Sequence, residues 1–288
     1  MYSSPFDYYR AATVDEASAL LKKHPGAKLL AGGHSLIPLL KLRLAAPPAL
    51  IDIGRIAELK GITVKDGTIR IGALTTHADL AASTALRESC PALAEAAKQV
   101  GDPAVRNRGT IGGNVAHADP ASDLPTVLTA LGARFTVTGP RGTRTIDAGG
   151  FFTGMMTTAL EDRDLLSAIE IAARQKGQGM AYVKFSHPAS RYAVIGVAAS
   201  VTVSSGTCTA AAVAIGGLVP RATRAASVEQ ALIGQTLSAG TLARAASEVA
   251  RDLGTDILGD LYASADYRKA VAPVWVKRAL AAAAARGK

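Results

Sequence analysis

The chain has 288 residues, of which 49% are apolar, and it carries a formal net charge of +9. This length can bury a sizeable core and accommodates one large domain or two to three smaller ones. The lysines and arginines are scattered, aromatic residues make up only 5% of the chain, and no long uncharged apolar stretch occurs, so neither nucleic-acid binding nor membrane insertion is expected.

The two cysteines, Cys90 and Cys208, lie far apart in the sequence. Iron–sulfur and zinc sites need several clustered ligands, so we expect no metal centre built from this chain. Isolated cysteines suit a reducing compartment. The first residues, M-Y-S-S-P-F-D-Y-Y-R, contain no apolar stretch after a basic start, which argues against a secretory signal. We therefore expect a cytoplasmic protein.

The N-terminal part predicts helices alternating with short strands. Thr13 and Glu16 occupy the two positions of a capping box and predict a helix that ends before residue 25. Residues 28–31 are typical of a short buried strand, which leads into a first Gly-Gly turn. We then expect a helix or turn over residues 35–43 and a strand over residues 49–53.

The middle of the chain opens with alternating apolar and polar residues around Asp66-Gly67, which predict a β-hairpin over residues 61–74. A second Gly-Gly pair lies in a predicted loop that begins at Gly109. The other elements predicted here are helices over residues 76–82, 91–100 and 125–131, a hairpin that turns at residues 139–142, and a strand over residues 165–171.

A change of composition at residues 174–179 indicates a linker. After it we expect an antiparallel meander of strands over residues 180–185, 194–203 and 207–216, then helices over residues 228–233, 241–253 and 264–285. The predicted fold class is α+β. We divide it into residues 1–176, with subdomains of about 1–54 and 55–176, and a domain of antiparallel sheet and helices over residues 177–288.

The two Gly-Gly pairs, Gly32-Gly33 and Gly112-Gly113, carry the functional signal. Glycine permits positive φ and close approach of the backbone, so we expect the N–H groups of each pair to converge on an anion. Neither pair belongs to a G-x-x-x-x-G-K-[ST] or G-x-G-x-x-G motif, and either one alone is more typical of a plain tight turn. Together they suit one ligand with two adjacent phosphates.

The segments around these pairs carry a family resemblance. The run A-G-G-H-S-L-I-P-L-L-K-L-R-L starts at Ala31, and V-R-N-R-G-T-I-G-G-N-V-A-H-A-D-P-A-S-D-L-P starts at Val105. In this combination the chain resembles the FAD-binding medium subunit of the molybdenum hydroxylases, of the carbon monoxide dehydrogenase and xanthine dehydrogenase type. The resemblance covers essentially the whole chain. It implies a two-part N-terminal FAD-binding domain of the PCMH, or vanillyl-alcohol oxidase-like, type, with FAD in the cleft between that domain and the C-terminal one.

The resemblance also implies a set of FAD-binding residues. Thr110 can donate its hydroxyl to a phosphate, and Asn114 offers a donor and an acceptor to the ribityl chain or the flavin ring. His34 suits a hydrogen bond to ribityl or phosphate, or plain packing, and is not expected to be a catalytic base. The two glycine segments together contribute Leu30, Ala31, Gly32, Gly33, His34, Ser35, Leu36, Thr110, Ile111, Gly112, Gly113 and Asn114.

Five more residues match family positions outside the two segments. Asp123 matches a carboxylate that binds sugar hydroxyls, and it is also a candidate helix N-cap. Val100 and Leu166 match apolar positions that line the flavin, or belong to the ordinary core. Lys184 matches a lysine that stabilises the negative charge of reduced flavin, or is a surface lysine at a strand edge. Tyr192 matches a tyrosine that stacks on the flavin ring.

The resemblance implies an electron-transfer subunit without catalytic side chains of its own. A molybdenum-cofactor large subunit and a small subunit with [2Fe-2S] clusters are the expected partners, in a dimer of heterotrimers, and FAD passes electrons to an external acceptor. Arg191 stands where the family often has an acidic residue, which leaves the acceptor open. The alternatives are a free-standing flavin oxidase and a non-catalytic assembly module.

Overall fold

The computed structural model describes residues 2–287, and its N-terminal part is built on a small parallel sheet. The strands of this sheet lie in the order β1-β3-β2. Thr13 caps the first helix by accepting the Glu16 N–H, as the capping box predicts. The elements are β1 (Asp7–Arg10), α1 (Val14–Lys23), β2 (Lys28–Leu30), α2 (Leu36–Lys41) and β3 (Ala49–Asp52). The first Gly-Gly pair therefore follows the end of β2 directly.

The middle part surrounds a five-stranded antiparallel sheet in the order β4-β5-β10-β6-β7. The two predicted hairpins and the strand near residue 165 are confirmed. After a 3-10 turn at Ala57–Leu59, its elements are β4 (Ile62–Lys65), β5 (Thr68–Gly72), α3 (His77–Ala82), α4 (Thr84–Ser89), α5 (Pro91–Gln99), α6 (Pro103–Arg106), α7 (Ile111–His117), α8 (Asp123–Ala130), β6 (Arg134–Gly139), β7 (Gly142–Asp147), α9 (Ala148–Phe151), β8 (Phe152–Gly154), β9 (Thr157–Thr158) and β10 (Leu165–Ala172).

Two helices of this middle part differ from the prediction. The segment expected as a loop around Gly112-Gly113 forms α7, which Thr110 caps by accepting the Gly113 N–H at 3.1 Å. Helix α8 begins at Asp123 and not at Pro125. Proline is tolerated in the first turn, where its missing N–H would have no partner inside the helix, so it does not mark the start.

The C-terminal part is an antiparallel sheet in the order β11-β12-β13-β14, covered by helices. The three predicted strands and three helices are confirmed, except that the second helix ends at Ser247 and continues as a 3-10 turn, Glu248–Arg251. The elements are β11 (Gln178–Ser186), β12 (Ala193–Ser204), β13 (Thr207–Gly216), β14 (Thr223–Arg224), α10 (Ala226–Leu232), α11 (Ala239–Ser247) and α12 (Ala265–Arg286).

The middle and C-terminal parts share one apolar core. Met180, Tyr182, Ala198 and Ala214 of the C-terminal sheet pack into the cluster built by the middle helices and sheet. A smaller cluster joins the N-terminal part to Leu59, Leu74 and Leu165 of the middle part, and α12 completes a third on the far face of the C-terminal sheet. A domain boundary at residue 176 stays a prediction, because apolar packing continues across it. No helix within residues 2–287 combines the length and apolar character needed to cross a bilayer.

Candidate functional site

The two glycine segments meet through their backbones. A Cβ atom on Gly32 would lie 2.8 Å from the carbonyl carbon of Arg108 and 2.9 Å from the Cα of Gly109, and closer still to the Arg108 oxygen. No side chain fits at that contact. Both segments line one cavity of about 620 Å³, a size typical of small-molecule sites. The prediction that the two pairs share a crevice is confirmed.

Most of the predicted site residues line this cavity. Leu30 and Ile111 do not, and Ile111 is fully buried in the middle core. Those on the cavity wall are Ala31, Gly32, Gly33, His34, Ser35, Leu36, Thr110, Gly112, Gly113, Asn114, Leu166 and Tyr192. Their contacts with a bound cofactor stay a prediction.

The first segment offers a row of backbone donors. Strand β2 ends at Leu30 and helix α2 begins at Leu36. Between them the carbonyl groups of Gly33 and Ser35 accept from the first turns of the helix, but the backbone N–H groups lie outside both sets of hydrogen bonds. Within residues 2–287, the N–H groups of Gly32, Gly33, His34 and Ser35 have no acceptor. Gly33 has a φ of +74°, a value that favours glycine. Consecutive amides in such a turn form a concave site for an anion.

The second segment works differently from the prediction. The Gly112 N–H donates to the Ala73 carbonyl at 2.8 Å, and the Gly113 N–H donates to Thr110 Oγ1. The expectation that these two amides converge on an anion is therefore wrong, because the Ala73 carbonyl and the Thr110 cap already use them. Gly112 instead permits packing, since a Cβ there would lie 2.5 Å from the Ala73 Cβ.

Side-chain groups of the second segment remain available to a ligand. Asn114 donates from Nδ2 to Ser122 Oγ at 2.9 Å, while its Oδ1 is buried and has no partner within residues 2–287. Thr110 accepts at Oγ1 through its capping bond, so its own O–H is left to donate. The second segment therefore offers one hydroxyl donor at Thr110 and one unpartnered acceptor, Asn114 Oδ1, which is enclosed in the cavity wall.

Asp123 and Lys184 form a buried ion pair. Lys184 Nζ lies 2.8 Å from Asp123 Oδ2 and 3.1 Å from the carbonyl oxygen of Gln99, to which it also donates. The Tyr182 hydroxyl donates to Asp123 Oδ1 at 2.6 Å. Burial raises the pKa of the Asp123 carboxyl, and the charge of Lys184 and the two hydrogen bonds counteract part of that rise. Tyr182 and Gln99 were not predicted, since nothing local in the sequence joins them to residue 123.

This pair settles two interpretations made from sequence. The Lys184 side chain is only 1% exposed, so the surface-lysine interpretation is wrong. Ser122, not Asp123, is the N-cap residue of α8, because Asp123 is already the first residue of the helix. Neither member of the pair lines the cavity, and Val100 packs against the middle core. Contacts of these three residues with FAD stay predictions.

Sequence reasoning missed His77, which lines the cavity and is only 3% exposed. Burial, together with the nearby charges of His34 and Arg106, lowers the pKa of His77 from its usual 6.5 to about 4. The ring is therefore neutral at pH 7. The sequence L-T-T-H-A-D-L shows a helix start but not that its histidine faces a cavity.

This shift in pKa predicts an acid-sensitive fold. Below about pH 6.5 the unfolded chain binds a proton at His77 that the folded chain excludes until about pH 4. The free energy of unfolding should therefore fall as the pH drops, by on the order of 2 kcal/mol at pH 5 from this group. Urea unfolding of the ligand-free protein at pH 7 and pH 5 measures it. His77→Gln should lose less stability over that interval, and an equal loss in both proteins would contradict the assignment.

Comparison with known proteins agrees with this geometry. The family described as "FAD binding domain in molybdopterin dehydrogenase" matches residues 4–173, and "CO dehydrogenase flavoprotein C-terminal domain" matches residues 180–283. The carbon monoxide dehydrogenase medium chain of Hydrogenophaga pseudoflava is 42% identical over 285 residues, 98% of each chain. The xanthine dehydrogenase FAD-binding subunit of Escherichia coli O157:H7 is 32% identical over 98% of this chain and 97% of that subunit.

Solved structures give the same result. A chain of the carbon monoxide dehydrogenase from Hydrogenophaga pseudoflava superposes with a TM-score of 0.95 at 43% identity, covering 99% of both chains. The resemblance, the mixed helix and sheet fold and the FAD cofactor predicted from sequence are confirmed. The chain belongs to the FAD-binding medium subunits of the molybdenum hydroxylases, a family of oxidoreductase flavoproteins.

Proposed function

We propose that this chain holds FAD in the cavity between its two glycine segments and serves as the electron-transfer subunit of a molybdenum hydroxylase complex. The observation that carries this proposal is the row of free N–H groups at Gly32, Gly33, His34 and Ser35, which borders a cavity of about 620 Å³. A diphosphate supplies the acceptors that this row lacks. The residues present therefore fit the cofactor.

The other groups of the cavity suit the rest of FAD. The unpartnered Asn114 Oδ1 suits a donor, such as a ribityl hydroxyl, and the Thr110 hydroxyl suits a phosphate oxygen. Leu166 and Tyr192 supply apolar surface for the flavin ring. The Asp123–Lys184 pair and Val100 do not line the cavity, and we assign them the role of holding its wall in place. Asp123 directly follows Ser122, whose hydroxyl accepts a hydrogen bond from Asn114. Bound FAD exchanges electrons both singly and in pairs, so it can connect one-electron carriers to a two-electron acceptor.

The partners follow from the names of the relatives. These are medium chains or FAD-binding subunits of carbon monoxide, xanthine and other dehydrogenases, so this chain has large and small partner subunits. We assign the molybdenum cofactor to the large subunit and [2Fe-2S] clusters to the small one, in a cytoplasmic dimer of heterotrimers. We also retain the domains 1–176 and 177–288. One family match ends at residue 173 and the other begins at residue 180, on either side of this boundary. A free-standing oxidase is less well supported, because the relatives of full length are subunits.

Reduction of the flavin by the small subunit tests this function. The purified chain should acquire the visible absorption of bound oxidised flavin when FAD is added. In the complex rebuilt with its partners, reduced iron–sulfur clusters should bleach that absorption, and an external acceptor should restore it. Complex with oxidised clusters is the control. A wild-type chain that retains no FAD would overturn the proposal, and one whose flavin stays oxidised beside reduced clusters would overturn the electron-transfer part.

A further inference from the structure

His77 lies where the two glycine segments touch. Its backbone N–H donates to the Gly109 carbonyl at 3.0 Å, and the neighbouring Thr76 forms a β-bridge with Thr110. A Cβ on Gly109 would lie 2.8 Å from His77 Cδ2 and 2.9 Å from Nε2. The ring therefore packs against the backbone of Gly109, which lines the cavity. The ring edge that carries Cδ2 and Nε2 faces this backbone.

No group within residues 2–287 forms a hydrogen bond with either nitrogen of this ring. Nδ1 is completely enclosed, whereas Nε2 is not. The side chain is more than nine-tenths buried. Polar atoms of buried side chains are almost always hydrogen-bonded in native proteins. Enclosure keeps Nδ1 out of a ligand's reach, so a hydrogen-bond partner from the cavity can bind only Nε2.

The chemistry of the ring selects which nitrogen carries the proton. A neutral imidazole has one N–H donor and one acceptor. An orphaned buried N–H is rarer in native proteins than an under-used acceptor, so the enclosed Nδ1 is better left without a proton. Nε2 then carries the hydrogen, beside Gly109. The phosphate oxygens of a diphosphate held by Gly32–Ser35 are acceptors without hydrogens, and they complement an Nε2–H donor.

We propose that His77 is an uncharged hydrogen-bond donor to the diphosphate of FAD, a contact that neither glycine segment supplies. Its Nε2–H adds a donor to the free amides of the first segment. The amides of Gly112 and Gly113 cannot supply this donor, because they already bond to Ala73 and Thr110. The inference rests on the proposed function, because it requires FAD in this cavity.

A pair of amide variants tests this donor. The side-chain nitrogen of glutamine reaches the place of Nε2, whereas that of asparagine reaches the place of Nδ1. His77→Gln should bind FAD within about threefold of wild type, and His77→Asn should bind it about tenfold more weakly or worse, because bonds to charged acceptors are strong. Fluorescence titration at pH 7 measures both. ADP, which contains the diphosphate without the flavin, should show the same ratio.

Two further measurements separate binding from a structural role. The ³¹P resonances of bound FAD should move in His77→Asn, and the Nε2 signal of ¹⁵N-histidine-labelled wild type should shift when ADP is added. The second measurement needs no variant, so it applies even if the substitutions unfold the chain. Equal FAD affinity in all three proteins would overturn the inference, as would an unchanged Nε2 signal with ADP bound. Wild-type protein that binds no FAD would instead overturn the proposed function.

Discussion

Replacing Gly32 with alanine is expected to remove FAD from the protein without unfolding it. The added methyl group would lie within 2.9 Å of Gly109 Cα and nearer to the Arg108 carbonyl, whereas carbon atoms normally approach to about 3.5–4.0 Å. The two segments must separate by on the order of 1 Å, which pulls the free amides away from the diphosphate. We expect at least a hundredfold loss of FAD affinity, about 2.7 kcal/mol. Flavin content after gel filtration and a fluorescence titration measure it.

Two other glycine-to-alanine variants serve as controls for the effect of adding a methyl group. Gly150→Ala should retain FAD, since a Cβ there meets nothing within 4 Å. Gly112→Ala should lower the melting temperature of the ligand-free protein, because its Cβ would lie 2.7 Å from the Ala73 carbonyl oxygen, in the packing of α7. Gly32→Ala, whose Cβ would come still closer to the Arg108 carbonyl oxygen, should lower it as well, so the flavin content of both variants is compared below their melting temperatures. Full flavin content in Gly32→Ala would contradict the proposed cradle.

The first glycine segment could be predicted because its behaviour is local. A short strand followed by Gly-Gly predicts a turn whose amides lie outside the strand's hydrogen bonds, and the N–H groups of Gly32–Ser35 are free as that turn predicts. The hairpin at Asp66-Gly67 is local in the same sense, since the turn chemistry is contained in two residues. The family resemblance joined the two glycine segments to one cofactor.

The second segment could not be predicted in the same way, since its structure depends on a distant strand. Two adjacent glycines are poor helix formers, so I-G-G-N-V suggested a loop. Thr110 supplies a local cap, and Ala73, directly after β5, supplies a carbonyl for the Gly112 N–H, which together hold α7 in place. The cap is contained in the local sequence, whereas the Ala73 carbonyl becomes a partner only once the sheet is assembled. The same sequence pattern, Gly-Gly, thus supplies free donors in one segment and close packing in the other.

The partners of the buried charges could not be predicted from the sequence either. Lys184 and Asp123 are 61 residues apart in the chain, and no local spacing brings them together. The resemblance placed both near FAD, but the structure shows that they first satisfy each other. Any effect of Lys184 on the flavin must therefore be separated from its contribution to stability.

Replacing Lys184 with methionine is expected to destabilise the fold strongly. It leaves the Asp123 carboxylate, which is 4% exposed, with only the Tyr182 hydroxyl as a partner, and breaking a buried pair in this way costs about 3–5 kcal/mol. Arg141→Met is the matched control. It breaks an ion pair with Glu161 whose side chains are 73% and 55% exposed, and should change the free energy of unfolding by less than about 1 kcal/mol. Urea unfolding at pH 7 measures both.

The pH dependence of Lys184→Met identifies the cause of the loss. Without the ammonium, burial alone holds the pKa of Asp123 above that of an unfolded aspartate, so the folded variant binds a proton that the unfolded chain releases. Its deficit relative to wild type should therefore shrink as the pH falls from 8 towards 5. Adding Asp123→Asn removes the stranded charge and should recover most of the loss at pH 8. Two results would contradict a buried ion pair: a deficit that is independent of pH, and a double variant that is no more stable than the single one. Either result would leave the lost packing of the lysine side chain as the explanation.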